Sequence, residues 1–172
     1  MSVLVAGIGN VFLGDDGFGV EVAQRLSRER FDAAVEVADF GIRGVHLAFE
    51  LASGRYDAAI LVDAVSRGAA PGTLFAIEPD LAGAARTDAV ADAHTLTPDA
   101  VLAWVRHVGA CPPRILIVGC EPENVEESMG LSPPVAASID GAIAMIRGLV
   151  AQMSQVSTGT ERPPSGGPCQ SG

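Results

Sequence analysis

At 172 residues with 48% hydrophobic content, the chain holds enough apolar material for one domain with a sizeable core and is short for two. A formal net charge of −10 excludes the Lys/Arg-rich surfaces that draw nucleic acid or anionic membranes, and leaves basic or metal-carrying partners open. Three cysteines, Cys111, Cys120 and Cys169, match neither a zinc pair nor a redox C-x-x-C, which suits a reducing compartment.

The first apolar run, residues 3–8, has no basic segment before it and is broken by Gly7, Gly9, Asn10 and Asp15, so it reads as a core strand rather than a signal peptide. No uninterrupted apolar run is long enough to cross a bilayer, and the expected location is cytoplasmic. The strand runs into Gly9-Asn10-Val11-Phe12-Leu13-Gly14-Asp15-Asp16-Gly17-Phe18-Gly19, a glycine-rich turn with two adjacent carboxylates. Gly7 and Gly9 open a dinucleotide fingerprint, but Phe12 stands where its third glycine belongs, and paired aspartates repel a phosphate. A cation or metal-bearing partner fits the turn better. Either aspartate could also cap the helix that starts near Gly17.

Phe18, Val22, Ala23 and Leu26 then share a helical face. Residues 35–40 form a second strand, followed by a helix with Leu47, Ala48 and Leu51 on one side. Strands at 58–65 and 73–77 are joined too closely for a helical crossover, so the fourth strand is expected to run antiparallel. Residues 77–94 lack strong periodicity and read as a long surface loop. A helix bearing Val101, Leu102 and Val105 follows, then a fifth strand at 114–120 and a helix with Val135, Ile139, Ala142, Ile143 and Ile146 on one face. The βαβαββαβα order predicts a three-layer α/β/α fold around a mixed, mostly parallel five-stranded sheet. Residues 1–153 form the expected single domain. Residues 154–172, rich in Gly, Pro, Ser and Thr, read as a disordered tail.

In such a sheet the reactive crevice lies beyond the carboxyl ends of the strands. That filter selects Asp16 after the first strand, Asp39 and Arg43 around the second, Asp63 ending the third and Glu121 after the fifth. Asp63 follows Ala59-Ile60-Leu61-Val62, a run apolar enough to be buried on both faces, so its carboxylate is costly unless it is paired, coordinated or hydrogen-bonded to the next turn. His94 precedes Thr97-Pro98, which look like an N-cap and first helical residue, whereas His46 and His107 fall within helical patterns. Two carboxylates and one imidazole from separate loops would suit a divalent transition metal. Cys120 with His94 offers a thiol-histidine alternative, although a cysteine ending Ile117-Val118-Gly119-Cys120 also reads as a buried small hydrophobe. H-E-x-x-H and G-x-S-x-G are both absent.

Over residues 3–150 the chain resembles the nickel-iron hydrogenase maturation proteases. The motifs are Gly7-Ile8-Gly9-Asn10 with Gly14-Asp15-Asp16-Gly17-Phe18-Gly19, Val62-Asp63-Ala64-Val65 with Gly72-Thr73, His94, and Glu121-Pro122 with Gly130-Leu131-Ser132-Pro133. The resemblance implies a phosphorylase/hydrolase-like sheet of order 2-1-3-5-4 with the fourth strand antiparallel. It also implies an endopeptidase that trims the C-terminal extension of a hydrogenase large-subunit precursor, its partner. Nickel is then presented by the substrate to Asp16, Asp63 and His94 rather than held as a resident cofactor. The first acid is glutamate in some members and aspartate here. Asp39 is kept from a D-G-G-T-x-G pattern, while Phe40-Gly41-Ile42-Arg43-Gly44 differs and would tune which large subunit is recognised. The implied attack comes from a metal-polarised water or one activated by a carboxylate. A non-catalytic nickel-sensing chaperone acting on the same precursor is the competing class. A monomer is expected.

Overall fold

A computed structural model describes residues 1–31, 34–79, 105 and 113–156. Five strands, β1 (Ser2–Ile8), β2 (Ala34–Gly41), β3 (Ala58–Ala64), β4 (Leu74–Ile77) and β5 (Arg114–Cys120), form one sheet in the order β2-β1-β3-β5-β4. The β1–β2, β1–β3 and β3–β5 pairs are parallel, and β4 runs antiparallel to β5. The nine residues between β3 and β4 are too few for a helical crossover, so the reversal follows from chain length.

Strict alternation along the central strands divides the interior into two cores. Val3, Val5, Ile60 and Val62 face α1 (Phe18–Leu26) and α3 (Pro133–Val156), where they meet Phe18, Val22, Ile139 and Ile146. Leu4, Ala6, Ala59 and Leu61 face the other way, onto Leu47 and Leu51 of α2 (Gly44–Ala52). Of the helix expected around residues 101–105, only Val105 lies among the described residues. It is helical and buried in this second core. The helices thus cover both faces of the sheet, as the alternation of elements demands.

Close approach at the centre depends on two glycines. A Cβ on Gly7 would lie 2.2 Å from the Gly19 carbonyl oxygen, and a Cβ on Gly19 would lie 2.0 Å from that of Val62. α1 therefore lies directly on the backbone of β1 and β3. The glycines of the first turn are used for helix-to-strand packing.

By length and composition α3 could cross a membrane. Here its Val135, Ile139, Ala142, Ile146, Val150 and Met153 stripe is buried against the sheet, while Arg147 reaches Glu29 and Phe31. That is the packing of an amphipathic core helix. The helix continues to Val156, beyond the expected domain end at residue 153, because Met153 is still core and the Ser154 hydroxyl donates to the Val150 carbonyl. Residues 157–172 lie outside the described residues.

Candidate active site

The strand order reverses about β1, which has β2 on one side and β3 on the other. Register aligns the carboxyl ends: Gly7 pairs with Asp39 of β2 and with Val62 of β3, and Asp63 pairs with Gly119 of β5. The polar residues selected after these strands consequently stand along one rim.

Beyond β1 the chain makes a short 3-10 turn, Gly14–Gly17, that leads into α1. Asp16 is half-buried, and its Oδ2 accepts the Asn10 backbone N–H at 2.7 Å. Gly9, at φ 126°, passes so close to this turn that a Cβ would lie 1.8 Å from the Asp16 carbonyl oxygen. The carboxylate, held by the Asn10 N–H, brings a negative charge into the turn that a dinucleotide's pyrophosphate would have to approach, which counts against the dinucleotide reading. Neither the turn nor α1 has a side-chain cap, so the expected capping role is corrected. Both aspartates find donors elsewhere in the fold.

Asp63 is 5% exposed at the end of β3. Among the described residues its Oδ1 accepts one hydrogen bond, from the Ala64 N–H at 2.9 Å, and burial stays dominant. Burial first, and then the negative charge of Asp16, hold its carboxyl well above the usual carboxylate range. The two acids stand beyond the carboxyl ends of β1 and β3, near enough for the charge of Asp16 to act on Asp63, and a divalent cation between them would relieve both the repulsion and the desolvation. His94, the third expected ligand, lies outside the described residues. Among the described residues no group of three His, Cys, Asp or Glu side chains is poised to hold a metal.

The other rim residues are structural fasteners. The Arg43 guanidinium turns back onto the carbonyls of Asp39 and Phe40, closing the turn that ends β2. The Asp39 carboxylate accepts from Gln24 Nε2 on α1 at 3.2 Å. Glu121 accepts the Arg67 and Gly68 N–H groups at 2.7 and 3.1 Å and so pins the β3–β4 loop. Cys120 is fully buried, 3.3 Å from the Ser138 hydroxyl, and burial pushes its thiol pKa up. A fully buried, protonated thiol has neither the charge nor the access that a nucleophile needs, so the thiol-histidine alternative falls.

Asp15 plays a part that the sequence did not reveal. It is 1% exposed, and all its donors come from the loop before α3. Oδ2 accepts Glu123 N–H, Asn124 N–H and the Ser132 hydroxyl at 2.8, 3.0 and 2.8 Å, and Oδ1 accepts Ser132 N–H at 2.7 Å. Burial alone would raise its pKa, but the hydrogen bonds from Ser132, Asn124 and Glu123 outweigh it and hold the group below its ordinary value. The partners lie 108 to 117 residues away, beyond the reach of any local pattern.

Comparison with known proteins follows the same lines. The family described as "Hydrogenase maturation protease" matches residues 20–148. The chain belongs to this family. The hydrogenase expression/formation protein HupD of Rhodobacter capsulatus is 38% identical over 144 residues, spanning 83% of this chain and 68% of that one. The hydrogenase 2 maturation protease of Escherichia coli is 34% identical over 148 residues, 85% of this chain and 88% of its own. Among solved structures, the hydrogenase maturating endopeptidase HybD from E. coli superposes with a TM-score of 0.71 at 30% identity, covering 89% of this chain and 94% of that one.

Proposed function

We propose that this hydrogenase maturation protease removes the C-terminal extension of a nickel-loaded large-subunit precursor, and that Asp16 and Asp63 receive the substrate's nickel. The observation that supports the site assignment is that Asp16 follows β1 and Asp63 ends the adjacent β3, near enough for the charge of Asp16 to add to burial in disfavouring the Asp63 anion. His94 is the third ligand of the reading, by its place in the family's motif order.

The chemistry follows from that imbalance. Without substrate, Asp63 holds its proton more firmly than an ordinary carboxyl group. An incoming divalent ion favours its ionised form, so metal recognition and proton release are linked. The nickel belongs to the substrate, and the scissile peptide is brought beside it by the same contact that tests for its presence. Asp16 is oriented for this by the Asn10 N–H, which binds Oδ2; a carboxylate has further lone pairs with which to meet the ion.

The test mixes purified protein with nickel-loaded and nickel-free precursor and follows precursor mass. Shortening of the loaded precursor alone is expected. A stable complex without shortening would assign a nickel-sensing chaperone instead, and equal cleavage of both precursors would overturn the role of substrate nickel.

A further inference from the structure

Asp15 and Asp16 are neighbours on one 3-10 turn, yet their carboxylates serve opposite sides of it. Asp16 turns inward to Asn10 and the crevice. Asp15 turns outward and is saturated by the 123–132 loop. Residues 123–130 are exposed throughout, so this loop has little apolar burial of its own to hold it in place. Backbone bonds add to the clamp: Gly14 N–H donates to the Ser128 carbonyl at 2.9 Å, Asp15 N–H to that of Asn124 at 2.9 Å, and Ser128 N–H to that of Phe12 at 3.1 Å. Inside the turn, Leu13 N–H reaches the Asn10 carbonyl and Asp16 N–H reaches that of Leu13. The Asp16 turn is thus closed on itself and fastened on its outer side through Asp15.

We propose that Asp15 is a positioning residue for processing, fixing the turn on which Asp16 sits by gathering the 123–132 loop against it. The proposal rests on the reading of Asp16 as the acid that meets the substrate's metal. Asp15 touches neither the metal nor the peptide. It acts through Asp16, whose placement would otherwise follow an exposed loop. An amide cannot replace the carboxylate, because its NH2 must face at least one of the N–H groups that the two oxygens now accept. Ser132 has a matching part. Its carbonyl takes the first bond of α3 from Ala136 N–H, while its hydroxyl is given to Asp15, so one residue joins the clamp to the helix.

The experiment measures kcat and KM for nickel-loaded precursor, with a thermal melt on each variant to give the folded fraction at the assay temperature. Asp15→Asn should lower kcat per folded molecule by about 100-fold with KM within about 3-fold, the pattern of a misplaced reacting group. Ser132→Ala, which removes one donor and leaves the carboxylate, should lower kcat by about fivefold, and Ser132→Thr, which keeps the hydroxyl, should restore it. An unchanged kcat per folded molecule in Asp15→Asn overturns the proposal, since a merely structural clamp reduces only the amount of native enzyme. Should Asp15→Asn fail to fold, the Ser132 pair decides: equal kcat in the alanine and threonine variants overturns it. Asp16→Asn is measured alongside. Wild-type processing by Asp16→Asn would overturn the underlying reading as well, whereas its loss beside a normal Asp15→Asn would sink the positioning role alone.

Discussion

Asp63 shows what a buried acid costs the fold that carries it. Its folded-state pKa is raised by burial and by Asp16, so the native state holds the proton to higher pH than the unfolded chain does. The stabilising contribution is complete below the ordinary carboxylate range and is lost as pH rises through the folded-state value. The isolated protein should therefore melt at a lower temperature at neutral pH than at mildly acidic pH, and Asp63→Asn should reduce that loss. The variant keeps an oxygen for the Ala64 N–H and removes the buried charge. We expect it to melt higher than the wild type at neutral pH, by about 2–4 °C for each 1 kcal/mol relieved, while processing is abolished. A melting temperature equal to or below that of the wild type at neutral pH would show that Asp63 is not strained there. At Asp16, glutamate should retain more processing than asparagine, since it keeps the charge that meets the cation. Equal rates in an assay of the two variants would remove Asp16 from the ligand set.

At the scale of elements, short apolar runs bounded by turn formers made the five strands legible and a period of 3.6 the helices α1, α2 and α3, because the central strands bury both faces and each of these helices buries one. The antiparallel β4 was legible too, from loop length. The fasteners were not. Glu121 pins a loop 54 residues earlier and Asp15 holds one more than 100 residues later, and no local periodicity encodes such pairings. Asp15 and Asp16 looked like helix caps because an aspartate before a helix usually satisfies its first N–H groups. Here distant and tightly turned donors took both carboxylates. Gly7 and Gly19, read at first as parts of a ligand-binding turn, serve instead to seat α1 on β1 and β3. Gly19→Ala sets a methyl group 2.0 Å from the Val62 carbonyl oxygen and 2.4 Å from that of Ile8. Backbone must shift, and overpacking of this kind costs about 1–3 kcal/mol or more. Denaturant melts should show that loss, and processing should fall further than stability, because the elements pushed apart carry Asp16 and Asp63. Wild-type stability in Gly19→Ala would mean that α1 is not seated as closely as described.

For the molecule as a whole, topology sets the proposed site: the strand order reverses about β1, Asp16 follows β1 and Asp63 ends β3, and on the proposed reading the −10 net charge suits a substrate that carries a cation. The end of the expected domain can be tested at the same scale. α3 delivers Val150 and Met153 to the core and stays helical to Val156, so a cut at residue 154 would shorten a packed helix. Residues 157–172 contain Ser, Thr, Gly and Pro with almost no apolar side chain, and Cys169 is isolated among them. The sequence expectation is that this composition offers too little burial to offset a backbone ordering cost of roughly 1–2 kcal/mol per residue. Ending the chain after Val156 should accordingly leave both the melting temperature and the processing rate unchanged, whereas ending it after Gln152 should lower the melting temperature by removing Met153 from the core. Thermal melts and precursor-processing rates measured on the two truncations beside the full chain decide the matter. A marked loss of cleavage in the Val156 truncation would show that residues 157–172 engage the precursor.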